Sequence, residues 1–197
     1  MTPVKSEQKA ALILDKGMEV MWANGYNGTS VNAIVKAADV PKGSFYFYFK
    51  SKEDFAVQAL NRYFGMMYQP ARSILEDESL SPKQKLISLY EYRIRMAKEK
   101  FNCKLGCLAS NLGNEMSDHS ETIRQTICSF EEVVRKELVD IAQQAQDMEE
   151  IRKDIEPEKL ISFIEDTTKG MLITMKETQT PDSLNNFIYV LKNLILK

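Results

Sequence analysis

Apolar residues recur every three or four positions along most of this chain, a spacing that is typical of amphipathic helices. The first such stretch extends from Ser6 to Asn24, and the pair Asn24-Gly25 supplies a helix stop. No segment alternates apolar and polar residues for long enough to indicate a strand. The pattern therefore predicts an all-α protein with about nine helices.

Two short helices follow the first one and lie close together in the sequence. Thr29-Ser30 supplies an N-cap for a helix over Val31–Ala38. A tight turn at Asp39-Val40 leads to a second short helix, which Pro41 opens from a favoured first position and which ends at Phe49. Two short helices joined in this way predict a helix-turn-helix.

Longer helices are predicted for most of the remaining chain. Prolines and capping residues mark their starts, and polar or glycine-containing breaks mark their ends. The predicted segments are 51–76, 82–101, 108–116 and 120–148, with two final helices that begin at Pro157 and Pro181.

Composition and charge divide the chain into two parts. The 197 residues are 44% hydrophobic and 27% charged, which indicates a folded protein with one domain-sized body and a small head. Residues 1–52 hold seven Lys against four acidic residues, whereas the remaining chain holds 19 basic against 24 acidic residues. We therefore expect a basic domain over 1–52 and an acidic domain over 53–197. Because no run of about 18 apolar residues is present, we also expect a cytoplasmic protein without a membrane partner.

The segment from Thr29 to Lys52 carries the most informative chemistry. Short polar side chains, a glycine, and lysine and tyrosine donors around a helix start are suited to contacting phosphates and entering a major groove. Five consecutive aromatic residues, 45–49, lie on the same helix. Phe45 and Phe49 are four residues apart and are expected in the core. At least two of the three between them should be exposed, unless all five are buried as core.

These residues form a pattern that resembles the DNA-binding head of the TetR family of bacterial transcriptional regulators. The resemblance implies that residues 1–52 are a helix-turn-helix DNA-binding domain and that residues 53–197 are an effector-binding and dimerisation domain. The protein is then a transcriptional regulator, most simply a repressor, that binds a palindromic operator on double-stranded DNA as a homodimer. The matching positions are Gly25-Tyr26, Thr29-Ser30, Ile34, Ala37-Ala38, Val40, Lys42-Gly43, Tyr46, Phe49 and Ser51-Lys52-Glu53.

The resemblance also implies DNA contacts for individual residues of the head. Phosphate contacts are implied for Ser30 and Asn32 at the start of the second helix and for Lys52 at the start of the fourth. Contacts to bases or phosphates are implied for the residues that open the recognition helix, Lys42, Gly43 and Ser44. Contacts to the backbone or to base edges are implied for Tyr46, Phe47 and Tyr48, the last at a position where the family often has His.

The last two predicted helices carry apolar stripes at a spacing near 3.5 residues. The resemblance implies that they form a four-helix bundle with a second subunit, in which Gly170 would permit close helix approach. The alternative is that the stripes pack only inside one subunit. The expected interface residues are Ile164, Thr168, Met171, Met175, Phe187 and Leu191.

The side chains of the body suggest where an effector could bind. Methionine and aromatic side chains are suited to lining an adaptable apolar cavity for a small molecule, although most such residues are core. The candidate lining residues are Met96, Phe101, Phe130 and Phe163.

Residues 103–108 resemble the family branch that represses N-ethylmaleimide reductase, in which a cysteine in a Gly-Cys-Leu context senses electrophiles or oxidants. That cysteine is Cys107 here, and Lys176 falls where the branch places a basic partner. A thiol at a helix N-terminus, with Lys104 nearby, is favoured in its reactive thiolate form. Alternatively, Cys107 is buried and packs in the core as a small hydrophobic residue, and the same holds for Cys128, which lies within a predicted helix.

Enzyme, cofactor and metal chemistry find little support. The chain has one histidine, no glycine-rich phosphate loop and no Gly-x-Ser-x-Gly motif, so we expect neither an enzyme nor a cofactor. Cys103, Cys107 and His119 fall short of the four ligands of a zinc site, so we expect no metal. Two other functions remain open: a regulator with a reversible apolar ligand and no redox chemistry, and a helical ligand-binding or interaction protein that does not use DNA.

Overall fold

Nine α-helices make up the computed structural model, which describes residues 3–197 and contains no strand within that range. This confirms the predicted all-α fold. The helices are α1 Pro3–Asn24, α2 Val31–Ala37, α3 Lys42–Tyr48, α4 Lys52–Leu75, α5 Pro82–Arg95, α6 Leu108–Met116, α7 Glu121–Asp147, α8 Pro157–Thr178 and α9 Asp182–Val190.

Helix α5 is shorter than predicted because a π-helical turn, Met96–Lys100, follows it. A second π-helical turn, Leu191–Ile195, follows α9. After the first of these turns, Asn102 and Cys103 adopt left-handed conformations with φ of 49° and 56°. The Cys103 N–H donates to the carbonyl of Ala97 at 2.9 Å, which closes the turn. The predicted break between α5 and α6 is therefore confirmed.

The chain forms two compact units. The first extends to Met66 and includes Leu108–Ser129, and the second consists of Met67–Cys107 and Phe130–Lys197. Helices α4 and α7 each contribute residues to both units. The functional domain boundary after residue 52 stays a prediction.

An aromatic cluster forms part of the core of the first unit. Phe45 and Phe49 are fully or almost fully buried, with 0% and 2% of their surface exposed. Their ring centroids lie 5.2 Å apart and lie 5.6 and 5.0 Å from the ring of the buried Phe55 on α4. Because these rings come from both sides of the α3–α4 connection, their packing fixes α3 against the start of α4.

The core of the second unit contains one buried polar cluster. The Tyr90 hydroxyl donates to a carboxylate oxygen of Glu165 at 2.8 Å, and Arg93 donates to the same oxygen at 2.7 Å. Burial first, and then the charge of Glu165, hold the pKa of Tyr90 well above its usual value. Tyr90 therefore stays protonated and keeps its hydrogen bond at neutral pH.

Candidate nucleic-acid interface and sensing residues

The helix-turn-helix is built from local hydrogen bonds. The Ser30 hydroxyl accepts a hydrogen bond from the N–H of Ala33 at 3.1 Å and caps α2, as predicted. Asp39, with φ of 50°, forms the turn between the two short helices. The N–H of Val40 then donates to the carbonyl of Val35 at 3.0 Å. This geometry sets the start of α3 directly after the end of α2.

Helix α3 presents two large aromatic side chains to solvent. Tyr46 is 57% exposed and Phe47 is 75% exposed, whereas Tyr48 is half-buried, with its hydroxyl 3.4 Å from that of Ser6. The prediction that Phe45 is buried and that at least two of the three following aromatic residues are exposed is confirmed. A helix of seven residues has only one buried face, and Phe45 already occupies it.

The other predicted DNA-contacting residues of α2 and α3 are mostly exposed. Ser30, Asn32, Lys42 and Gly43 are exposed and Ser44 is half-buried. A Cβ atom placed on Gly43 would meet nothing within 4 Å, so the backbone at the start of α3 is open to a partner. The sequence interpretation did not include two further exposed lysines, Lys36 and Lys50, which a simple count of the positive charges beside α3 would have found.

Lys52 has partners that were not predicted. Its ammonium group donates to the carbonyl oxygens of Tyr26 at 3.0 Å and Thr29 at 3.1 Å, and it lies 4.1 Å from the centre of the Tyr26 ring. An ammonium group has three donors, so one remains for a phosphate. Through these contacts Lys52 supports the loop between α1 and α2.

Tyr26 itself is partly buried. Burial, with a smaller contribution from the charge of Glu53, raises the pKa of its hydroxyl group.

Two family descriptions match the chain, one over the helix-turn-helix and one over the later helices. That of bacterial regulatory proteins of the tetR family matches residues 13–59, which include α2 and α3. That of the tetracyclin repressor-like C-terminal domain matches residues 82–191, more than half of the chain. The chain belongs to the TetR family. It is a DNA-binding transcriptional regulator of the helix-turn-helix type.

Similar proteins share this assignment. The regulator is 31% identical to the HTH-type transcriptional repressor DhaR of Mycobacterium sp. strain GP1, over 99% of this chain and 93% of that protein. It is 30% identical to the transcriptional repressor NemR of Escherichia coli K12, over 58% of this chain and 57% of NemR. The crystal structure of regulatory protein TetR from Rhodobacter sphaeroides has a TM-score of 0.85 at 27% identity and covers 91% of this chain and 95% of that one. The suspected relationship to the NemR branch is thereby confirmed.

The three cysteines of this TetR-family regulator occupy different environments, and none is in a disulfide. Cys107 is half-buried and directly precedes Leu108, the first residue of α6. Cys103 is buried in the turn before it. The interpretation of Cys128 as a buried hydrophobic residue is wrong, because Cys128 is exposed on α7.

The predicted effector-contacting residues of the regulator do not all share one environment. Met96 and Phe130 pack against the core of the second unit, Phe101 is half-buried, and Lys176 is half-buried in the last turn of α8. Phe163 is 58% exposed on α8. It lines a groove between α8 and α9.

The six residues predicted at a dimer interface are buried within one chain. Their exposed fractions are 8% or less, because the apolar stripes of α8 and α9 pack against the core of their own unit. Four of them also line the groove between α8 and α9, so their contact with a second chain stays a prediction. The six are Ile164, Thr168, Met171, Met175, Phe187 and Leu191.

The groove between α8 and α9 is the open apolar feature of this region. Its volume is about 440 Å³, and a Cβ atom on Gly170 at its edge would meet nothing within 4 Å. Exposed apolar side chains are present on both helices and in the π-helical turn that follows α9. Among them are Phe163, Ile173, Tyr189, Val190 and Leu194.

Among the residues that the structure describes, no helix is long and apolar enough to span a bilayer. No three His, Cys, Asp or Glu side chains among them are grouped so that they could hold a metal ion.

Proposed function

We propose that this regulator is a homodimeric repressor whose α2–α3 heads bind a palindromic operator. Release of the DNA follows from reaction of Cys107 with an electrophile or oxidant, or from binding of a small effector in the body. The exposed pair Tyr46 and Phe47 on α3 carries this proposal.

The surface of α3 fits DNA better than it fits solvent. Two neighbouring large aromatic side chains on a surface helix are costly unless a partner covers them. Lys42 precedes them at the start of α3, and Lys36 and Lys50 are exposed on either side in the sequence. Lysines contact phosphates, and an aromatic ring can pack against a thymine methyl group in the major groove.

The groove between α8 and α9 supports dimerisation. It is lined mainly by apolar side chains, among them the exposed Phe163 and Val190. The open space above Gly170 allows a helix of a second copy to approach closely. Two heads held by such a dimer can contact half-sites about one helical turn apart, which one head cannot do.

Cys107 supports release by an electrophile. Its thiolate would add to an activated carbon–carbon double bond: the S–C bond forms, the π bond breaks, and the neighbouring carbon takes a proton from water. Because Cys107 directly precedes α6, the adduct would alter the position of that helix. DhaR and NemR are both named repressors, which supports repression as the mode of action.

The decisive experiment is fluorescence anisotropy on a labelled DNA fragment from upstream of this protein's own gene. Reduced protein should bind tightly, with an affinity that falls steeply as salt rises, because phosphate contacts release counterions. Weak binding that is independent of salt would instead support the helical interaction protein that does not use DNA.

Cysteine variants then separate the two classes of effector. Pretreatment with N-ethylmaleimide should abolish binding by the wild type and by Cys128→Ser, a control whose cysteine is exposed, but not by Cys107→Ser. Unchanged binding by treated wild-type protein would remove Cys107 chemistry and leave the reversible apolar ligand as the inducer.

Sedimentation velocity tests the dimer. Val190→Glu places a charge in the groove and should give a monomer with weak operator affinity. Val133→Glu, a control with the same change at an exposed site on α7, should stay dimeric. A dimer that survives Val190→Glu would place the subunit contact elsewhere.

A further inference from the structure

The loop between α1 and α2 determines where the DNA-binding helices begin. Gly25 ends α1 with φ of 75°, and its N–H donates to the carbonyl of Met21 at 2.8 Å. The hydroxyl of the buried Thr29 donates back to the carbonyl of Gly25 at 2.7 Å. The next residue is Ser30, the cap of α2. A change in this loop would therefore move the start of α2.

A carboxylate from α6 holds the same loop. The Oε1 atom of Glu115 accepts a hydrogen bond from the N–H of Tyr26 at 3.2 Å, and its Oε2 atom accepts one from the N–H of Asn27 at 2.8 Å. Successive backbone N–H groups that point at one anion form a compact anion-binding turn, and hydrogen bonds to a charged acceptor are stronger than neutral ones.

Gly25 is needed for this contact as well as for its backbone conformation. A Cβ atom at this position would lie 2.0 Å from Oε1 of Glu115, which is far inside van der Waals contact. The positive φ alone also disfavours a residue with a side chain. A side chain at this position would therefore displace the flexible Glu115 carboxylate from its contact with the loop.

A second hydrogen bond joins the start of α7 to the start of α4. The hydroxyl of Ser120 caps α7 by accepting from the N–H of Ile123 at 3.1 Å, and it also donates to the carboxylate of Glu53. Glu53 lies in the first turn of α4. The segment that begins directly after Cys107 is thus hydrogen-bonded both to the α1–α2 loop and to the first turn of α4. The bond from Glu115 is the one that reaches the backbone leading into α2.

We propose that Glu115 is a positioning residue for operator binding. Its carboxylate holds the N–H groups of Tyr26 and Asn27, so that α2 and α3 take the placement that fits the operator only while α6 is in its present position. The inference rests on the proposed function, and it names the contact through which a change in α6 reaches the DNA-binding helices.

The variant Glu115→Gln tests this contact at almost unchanged shape. A glutamine amide has one acceptor oxygen and an NH₂ group that cannot accept, so it loses the charge and one of the two hydrogen bonds. The matched control is Glu132→Gln, the same change at an exposed position on α7. We expect Glu115→Gln to weaken operator affinity about tenfold and the control to stay within about twofold. Affinity for non-operator DNA of the same length should not change for either variant.

Amide hydrogen exchange, read by NMR on the full dimer, separates positioning from a general loss of structure. In Glu115→Gln the amides of Tyr26 and Asn27 should exchange faster, while those of the α1 core, such as Met21, keep their wild-type rates. The wild-type protein gives a second test that needs no variant. Its Tyr26 and Asn27 amides should exchange faster after N-ethylmaleimide treatment, and should not do so in treated Cys107→Ser.

The outcomes are distinguishable. Wild-type operator affinity in Glu115→Gln, or unchanged exchange at Tyr26 and Asn27 in that variant, would overturn the inference. Faster exchange throughout the first unit together with lost affinity would also overturn it, because Glu115 would then be a general stabilising residue. A wild-type protein that binds no operator would refute the proposed function instead, while exchange at the two amides would still show whether Glu115 controls the loop.

Discussion

Exposed apolar side chains on α3 and on α8 and α9 arise in different ways. On α3, the aromatic residues are consecutive, so a helix with one buried face must expose some of them, and Tyr46 and Phe47 are those. On α8 and α9, the apolar residues are spaced at helical intervals and the stripes themselves are buried. The exposed Phe163, Tyr189 and Leu194 lie beside the stripes. A regular stripe therefore predicts core, and the residues that depart from it mark the accessible surface.

The largest expected effect is on the aromatic core of the head. Phe45→Ala should lower the free energy of unfolding by about 3–5 kcal/mol, because it removes a fully buried ring and leaves a cavity. Phe47→Ala, two residues away and 75% exposed, should change it by about 0.5 kcal/mol or less. Urea unfolding checks both. Equal effects would contradict the division of α3 into a buried and an accessible face.

The same contrast applies to the body. Met175→Ala should cost about 2–5 kcal/mol in free energy of unfolding, since Met175 is fully buried within its own chain. Ile173→Ala, at a 40% exposed position on the same helix, is the control and should cost clearly less. Urea unfolding at several protein concentrations separates a core effect from a dimer effect. If Met175→Ala instead acts only through the monomer–dimer equilibrium, Met175 contributes to the predicted subunit interface and not to the core of its own chain.

Within the head, the contrast between aromatic and basic residues can be sharpened on DNA. Phe47→Ala should weaken operator affinity by about 1–3 kcal/mol with little change in salt dependence, because it removes an apolar contact to the DNA. Lys42→Ala should reduce the slope of log affinity against log salt by about one, because it removes one charge beside a phosphate. Anisotropy titrations at four salt concentrations give both quantities. A change of slope for Phe47→Ala would contradict an apolar contact.

The smallest expected effect concerns the buried polar cluster of the second unit. Tyr90→Phe should cost about 1 kcal/mol at pH 7, the value of one hydrogen bond to Glu165. The pKa of Tyr90 is raised in the folded protein, so the unfolded chain loses this proton first as the pH rises above about 10. Stability should therefore fall above that pH, and less steeply in Tyr90→Phe. Urea unfolding at pH 8 and 10.5 measures the difference, and parallel pH profiles would contradict it.

Within the first unit, the short helices could be predicted from the sequence, whereas a tertiary contact of Lys52 could not. Helix α6 was predicted at the bounds that the structure gives, and α2 and α3 within one or two residues, because caps, prolines and turns act over short distances. Lys52 was predicted to contact phosphate from its position in the motif. In the structure its ammonium group also holds two carbonyls of the loop between α1 and α2. No local pattern indicates that contact, since it depends on how α1 and α4 pack.

The sequence by itself determined the all-α fold, the helix-turn-helix and the family of this regulator, because these depend on local spacing and on a compact motif. The tertiary structure alone decided that the stripes of α8 and α9 pack against the core of their own unit, that Cys128 is exposed, and that Glu115 lies against Tyr26 and Asn27. The last contact joins residues 88 and 89 positions apart. The physical reason is that burial and long-range hydrogen bonds are set by the elements that pack together, and periodicity within one helix does not specify its neighbours.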